Sequence, residues 1–395
     1  MIPLVVTAGT ALSAIGAGLA ETRTSLLARR SGLAPCGFAG VTLGYTGRIS
    51  GIEQHSIPDP LSIYDCRNNR LADMALRQDG FTEAVAQAQA FYGPSRIAVV
   101  TGTSTSGILT SEEAYARRDI STGMMPSDFN EEHTQDLFSL PRYVSSILGL
   151  SGPLLTVSNA CASSSRAFID AWHWIASGVC DAAVVGGSDS LCGMTLRGFS
   201  ALSLVSPGPT RPCDAERDGI SVGEGAGFVL LERAGVRAIP PMARILGLGA
   251  ASDGYHMSSP DPAGRGAIAA MRQALDRAGL RPDDIGYINL HGTGSIANDA
   301  MEDTAVFSVF GDRTPCSSTK GWTGHTLGAS GIIEVIISIQ TLETGIIPGC
   351  LGITAVDPTF RSHIVTTNEK TEPRAILSNA FGFGGTNCSL VIGAA

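Results

Sequence analysis

Apolar positions in this chain fall into short, nearly continuous runs separated by glycine-rich turns, with little of the strict alternation of a sheet that has one wet face. Runs of this kind suit strands covered on both sides. They predict strands at Leu4–Thr7, Ile97–Thr101, Ala182–Gly187 and Phe228–Glu232, and again at Ala243–Gly249, Ile285–Leu290 and Pro315–Thr319. Between them, three- and four-residue spacing predicts helices. Over Ala162–Ser177 it places Phe168, Ala171, Trp172 and Ile175 on one face, and Gly266–Ala278 and Gly328–Leu342 follow the same period. A further helix is predicted over Ala11–Arg30, with Arg29, Arg30 and Gly32 as its stop. Residues 33–75, with prolines at 35, 58 and 60, read as irregular, and the polar stretch Ala114–Gln135 as a surface excursion.

Strand, small-residue turn and helix recur in the two parts of the chain, so the pattern predicts an α/β protein built from two similar halves. The glycine- and proline-rich segment Gly235–Pro241 divides them into residues 1–235 and residues 236–395.

Composition narrows the function classes. The 395 residues are 44% hydrophobic and 16% charged, with 48 glycines, which is the profile of a compact glycine-rich fold. A formal net charge of -9 argues against general binding to nucleic acid or to an anionic membrane surface. Nine cysteines without a C-x-x-C pair, and seven histidines without an H-x-x-x-H pair, give neither a disulfide framework nor zinc spacing. No metal site and a reducing compartment are therefore expected. No run of about 18 apolar residues marks a membrane span, and Met1–Val6 is too short for a secretory signal, so the expectation is a cytoplasmic enzyme.

The candidate chemistry lies where apolar elements break. Cys161 sits among Ala160, Ala162, Ser163, Ser164 and Ser165 at the start of a predicted helix, where small neighbours leave room for a sharp turn and the helix dipole favours thiolate. A buried structural cysteine is the competing reading. Three more segments share this placement: His291–Ser295, Lys320–His325 and Phe381–Asn387. Each is weak alone, since a capped core histidine, a solvated lysine or a tight glycine turn would read the same way. Together they supply a thiol, imidazoles and glycine-freed backbone N–H groups, the parts of acyl-transfer chemistry.

In this order, and with the family-like segments Arg211–Gly219 and Val222–Gly227, the motifs resemble the elongating β-ketoacyl-acyl carrier protein synthases of the thiolase superfamily. The resemblance implies a five-layer αβαβα fold, usually dimeric. It implies that Cys161 accepts the acyl chain, that His291 and His325 polarise the malonyl thioester, and that Lys320 holds the charge network around them with Glu302. It further implies an oxyanion hole from the N–H groups of Cys161 and Phe383, Phe383 as gate of the acyl pocket, and Thr293 and Ser295 as contacts for phosphopantetheine. No separate cofactor is implied, because the substrates ride on the phosphopantetheine of an acyl carrier protein. The second histidine, His325, separates this pattern from the Cys-His-Asn of initiating synthases and from thiolases with a second cysteine.

Departures from the family pattern also carry expectations. Gly102–Gly107 is more polar than usual, which bears on the depth of the acyl pocket. Ser203 stands where many relatives carry a carrier-facing arginine, while Arg67 and Arg70 lie in a segment resembling the other half of that carrier-binding patch, with an ordinary charge pair as the competing reading. Trp322 hints at a specialised polyene or polyketide pathway as against fatty acid synthesis. Two other functions remain open on the sequence: a chain-length-factor-like subunit that pairs with a true synthase, and a thiolase acting on coenzyme A thioesters. A homodimer is expected, or a heterodimer with a chain-length-factor-like chain.

Overall fold

The computed structural model describes residues 2–395. A twelve-stranded sheet runs through the molecule. Its first half contains β1 (Leu4–Ser13), β2 (Ile97–Gly102), β3 (Leu154–Val157), β4 (Ala182–Asp189) and β5 (Gly225–Arg233). The second contains β6 (Ala243–Ser252), β7 (Tyr287–Asn289), β8 (Pro315–Ser317), β9 (Ala375–Gly382) and β10 (Thr386–Ala394), with two-residue strands at Gly16–Ala17 and His363–Ile364 as additions. The spatial order is β3-β2-β4-β5-β1 in one half and β8-β7-β9-β10-β6 in the other, which is the same order with five added to each number. Pairing sense repeats as well: β2 lies parallel to β3 and β4, as β7 does to β8 and β9, and the remaining neighbours are antiparallel. The halves join where Leu4–Val6 of β1 pairs with Ala243–Ile245 of β6.

The side-chain period of two sends apolar residues to both faces of each half-sheet. Ala98, Val100, Ala183 and Val185 face the centre of the molecule, together with Leu390 and Ile392 from the second half. Val99 and Val184 face outward onto Leu71, Val85 and Leu140 of the helices Arg67–Leu76, Phe81–Tyr92 and Ser139–Ile147. In the second half, Ile288, Leu377 and Val391 face outward onto Met271 and Ala274 of the helix Arg265–Ala278. Between the half-sheets lie two helices, Ser163–Ala176 and Ser330–Thr344, whose Phe168, Ile175, Ile332 and Ile336 belong to the central apolar layer. The result is five layers, αβαβα.

Two predicted elements differ. Helix over Ala11–Arg30 is replaced by strand through Ser13 and helix only from Leu19 to Leu27, because Ala11, Leu12 and Ser13 continue the pairing of β1 with β5. The irregular span 33–75 contains the start of the helix Arg67–Leu76, which carries buried polar side chains that mask its period. The stretch Leu327–Thr344 is long and apolar enough to cross a membrane, contrary to the sequence reading, and 83% of it is buried as a central layer of the fold.

The two central helices touch through their first turns. A Cβ added to Gly331 would lie 2.1 Å from Ser165 Oγ and 2.8 Å from Ser165 N, and the Ile332 N–H donates to Ser164 Oγ at 3.0 Å. Gly331→Ala is therefore expected to lower the free energy of unfolding by about 1–3 kcal/mol through overpacking. Gly198→Ala, on a helix with nothing within 4 Å of the new methyl, should be neutral or slightly stabilising. Urea titrations of the two variants check the contrast.

Candidate active site

Cys161 follows β3 through a turn in which Ala160 adopts a left-handed φ of 47°, a conformation that an alanine tolerates only under tertiary constraint. Three bonds hold the turn: Asn159 N–H donates to Ser163 Oγ at 2.8 Å, Ser163 Oγ–H to the Ala160 carbonyl at 2.6 Å, and Thr386 Oγ1–H to Asn159 Oδ1 at 2.8 Å. Ala162, Ser163, Ser164 and Ser165 are fully buried, so only small side chains fit where the helix enters the middle layer. The thiol is 8% exposed at the base of a cleft of about 780 Å³, open mouth included.

The turns of the second half converge on that sulfur. His325 follows the short helix Lys320–Thr323, and its Nε2 lies 3.0 Å from Cys161 Sγ, while Nδ1 lies 2.8 Å from Ser330 Oγ. His291, after β7, stands edge-on to His325 with ring centroids 5.3 Å apart. One donor atom from each of Cys161, His291 and His325 lies within 4.8 Å of the others. That spacing could admit a metal ion. The Lys320 ammonium, 3.3 Å from His291 Nδ1, opposes a second positive charge there.

Lys320 is 1% exposed. Its ammonium has three N–H bonds and faces three acceptors: the His291 carbonyl, Glu334 Oε1 and His291 Nδ1. An ammonium cannot accept, so neutral His291 must present a lone pair at Nδ1 and carry its proton on Nε2. Glu334, and not the expected Glu302, is thus the counter-ion of Lys320. Glu302 supports the adjoining loop: its carboxylate accepts from His291 N at 2.8 Å, Gly292 N at 2.7 Å and Asn379 Nδ2 at 3.1 Å. Glu334 left a trace in the sequence as a carboxylate within the apolar run Ile332–Ile337. Ser330 left none that its type or spacing would reveal.

Burial governs ionisation throughout. It pushes the Cys161 thiol up to about 12, against the pull of the Lys320 charge and the Phe383 N–H, so the expected thiolate gives way to a neutral thiol beside a neutral imidazole. Burial, then the Lys320 charge and the nearness of the His325 ring, hold His291 well below the usual imidazole range, and burial with Lys320 does the same for His325. Glu302 is raised to about 7 by burial despite the N–H groups it accepts.

The hairpin between β9 and β10 closes the cleft. A Cβ on Gly382 would lie 3.1 Å from the Asn159 carbonyl and 3.2 Å from Cys161 N, so glycine lets this strand end lie against the nucleophile turn. The next N–H, that of Phe383, lies near enough to the sulfur to favour its thiolate. The Phe383 ring is 38% exposed at the cleft and meets Phe199 at 5.9 Å. Thr293 and Ser295 line the same cleft with their hydroxyls 2.9 Å apart. Two residues fall elsewhere. Arg67 is 8% exposed and forms a bidentate pair with Glu224 at 2.7 Å plus a bond to Glu53, and Arg70 is paired with Asp65 at 2.6 and 2.7 Å. Arg67 is thus committed to a buried ion pair, and Arg70, with 28% of its side chain exposed, to a partly exposed one, the competing charge-pair reading of these residues.

With this geometry in view, the comparisons agree. The family models for the beta-ketoacyl synthase N-terminal domain and C-terminal domain match residues 68–236 and 242–354. The chain belongs to the β-ketoacyl synthase family. It is 37% identical over 267 residues to the mitochondrial 3-oxoacyl-[acyl-carrier-protein] synthase of Arabidopsis thaliana, a match spanning 63% of this chain and 58% of that protein. It is 36% identical over 304 residues to nodulation protein E of Rhizobium meliloti, covering 75% of each. Among solved structures it resembles the ketosynthase ApeO, determined in complex with its chain length factor ApeC from Xenorhabdus doucetiae, at 36% identity and a TM-score of 0.91 over 100% of this chain and 98% of that one.

A thiol raised in this way reacts only through its thiolate fraction. Iodoacetamide alkylation of Cys161, followed by peptide mass spectrometry, is expected to accelerate with pH without a plateau below about pH 9. A plateau near neutrality would contradict the assignment.

Proposed function

We propose that this chain is an elongating β-ketoacyl-acyl carrier protein synthase, and that Cys161, His325, His291 and Lys320 carry out a decarboxylative Claisen condensation. The observation that carries the proposal is the 3.0 Å contact between Cys161 Sγ and His325 Nε2 at the base of an open cleft, with His291 beside it. In the first half-reaction His325 accepts the thiol proton at Nε2 as sulfur attacks the acyl thioester, with Nδ1–H donating to Ser330. The carbonyl oxygen gathers charge against the Cys161 and Phe383 N–H groups. The carrier's pantetheine thiol departs with the proton held on His325, leaving the acyl chain on Cys161.

In the second half-reaction a malonyl thioester loses carbon dioxide, and the electron pair released becomes an enolate. His291, with its proton fixed on Nε2 by Lys320, donates to the enolate oxygen. The enolate carbon then attacks the Cys161 thioester, the C–S bond breaks, and the departing thiolate takes one proton from water, through His325, to regenerate the thiol. Atoms and charge balance without a metal or a redox cofactor. Thr293 and Ser295, on the wall of the cleft, suit the amide groups of a phosphopantetheine arm, which makes an acyl carrier protein the natural donor of both substrates.

Likeness to a ketosynthase determined with its chain length factor supports a second chain of the same fold as partner, either a copy of this chain or a non-catalytic relative. Cys161 within reach of two imidazoles makes this chain the condensing member of such a pair. Synthesis of fatty acids and synthesis of specialised polyketides use the same steps. Trp322 does not discriminate between them: it is fully buried in the central layer under the Arg29 guanidinium.

Intact-mass spectrometry separates the steps. Cys161→Ala is expected to take up no acyl group and to abolish condensation. His325→Ala should slow self-acylation by about 10²–10⁴-fold. His291→Ala should retain self-acylation and lose about 10²–10³-fold in carbon dioxide release from malonyl-carrier. Acetyl-coenzyme A condensation without carbon dioxide would instead identify a thiolase.

A further inference from the structure

The polar segment Gly102–Gly107 does not line the cleft. Its two threonine side chains and two of its backbone N–H groups turn to a carboxylate that the chemistry above does not use. Asp189, just past the parallel part of β4, is fully buried. Its Oδ1 accepts from Thr103 Oγ1, Ser104 N, Thr105 N and Thr105 Oγ1, each at 2.8 Å. Its Oδ2 accepts from Ser104 N at 3.0 Å and from Gly328 N. Every one of these donors is neutral. A buried carboxylate costs several kcal/mol in desolvation, and a loop that needs only to be covered could be closed with apolar side chains. What the carboxylate provides is one meeting point for three distant stretches of backbone.

Both sides of that junction lead to the reacting pair. On one side Ser104 Oγ–H donates to the Ala160 carbonyl at 3.1 Å, bracing the left-handed residue that precedes Cys161. On the other, Gly328 follows His325 by three residues and precedes Ser330, the partner of His325 Nδ1, and Leu327 between them has a left-handed φ of 52°. A Cβ on Gly328 would stand 2.6 Å from Asp189 Oδ2 and 2.8 Å from Ser104 Oγ, so glycine is needed for the turn to reach the carboxylate. Cys161 and His325 are 164 residues apart in sequence and belong to different halves, and this junction spans the gap between their turns.

We propose that Asp189 is a positioning residue that sets the distance between the Cys161 thiol and the His325 imidazole, by joining the loop that braces the nucleophile turn to the turn that follows His325. It touches neither reacting group. The polarity of Gly102–Gly107 then serves the alignment of the reacting pair, and chain-length selection falls to the residues that do line the cleft.

The proposal rests on the acyl-transfer reading, and two rates measured on the intact protein separate its failure from the failure of that reading. Alkylation of Cys161 by iodoacetamide at one pH reads the thiolate fraction; self-acylation from an acyl-pantetheine thioester also needs the Cys161–His325 alignment. The Asp189 charge raises the thiol's proton affinity, so Asp189→Asn should leave alkylation unchanged or faster. Self-acylation should nevertheless fall about 10–100-fold, with KM changed less than about threefold, as expected when reacting groups are displaced by a fraction of an ångström. A charge effect alone would raise both rates, and general loosening, which admits water to the buried thiol, would speed alkylation and slow self-acylation together with a clear fall in the melting midpoint; either result overturns the proposal, which requires slowed self-acylation at an unchanged midpoint. Ser104→Ala keeps the carboxylate and removes only the tie to Ala160. It should slow self-acylation about 3–10-fold, and it decides the matter alone if Asp189→Asn does not fold. Ser104→Ala at the wild-type self-acylation rate overturns the proposal. If wild-type protein does not self-acylate, the acyl-transfer reading fails and takes this one with it.

Discussion

Everything chemical in this molecule depends on how closely two buried helices can approach. Ser163–Ala176 and Ser330–Thr344 lie side by side between two half-sheets, and their first turns touch through Ser164, Ser165 and Gly331. Larger residues there would separate the helices, and the turns ahead of them would separate too. Those turns carry Cys161 and His325. A serine- and glycine-lined contact that resembles ordinary helix packing is therefore what allows a sulfur and a nitrogen from opposite halves to meet at 3.0 Å.

The same packing dictates the electrostatics. With water excluded, ionised groups are disfavoured unless partnered, and the site responds by keeping its thiol and both imidazoles neutral. Beside the histidines, the Lys320 charge is paired with Glu334. That pair earns its place by fixing which nitrogen of His291 bears hydrogen, a matter that solvent would otherwise leave to chance. In the proposed chemistry, reactivity comes from proton transfer between adjacent neutral groups, and the dry surroundings strengthen each donor aimed at a developing oxyanion. Arg67 illustrates the opposite use of burial: with buried Glu224 and with Glu53 it forms an ion cluster.

Much of this could be read from the chain. Continuous apolar runs such as Ile97–Thr101 and Ala182–Gly187 announced doubly covered strands, and breaks into small residues at Cys161 and Gly328 announced the central helices. Where polar groups were buried, reading failed. The helix Arg67–Leu76 hides Arg67, Asn68, Asn69 and Asp73, which spoil its period, and so passed for irregular chain. The helix-dipole argument for a Cys161 thiolate was sound locally, but it left out desolvation, a property of the assembled layers. The family resemblance points to Glu302 as the partner of Lys320, whereas the fold brings in Glu334. Contacts of that kind are settled by three-dimensional closure, which no spacing rule encodes.

The repeated strand order has a further meaning. The turn carrying Cys161 and the turn carrying Lys320 and His325 follow corresponding strands, β3 and β8, and the Asp189-bound loop corresponds to the His291 loop, since they follow β2 and β7. Equivalent places in one pattern thus differ in chemistry: one copy supplies a thiol and a carboxylate, the other two imidazoles and a cation. Severed at the linker, each piece would keep a strand order typical of the whole yet hold only half of a reaction. Symmetry of architecture and asymmetry of labour are both written into a single polypeptide, and covalent continuity guarantees that the complementary parts are always made in equal number.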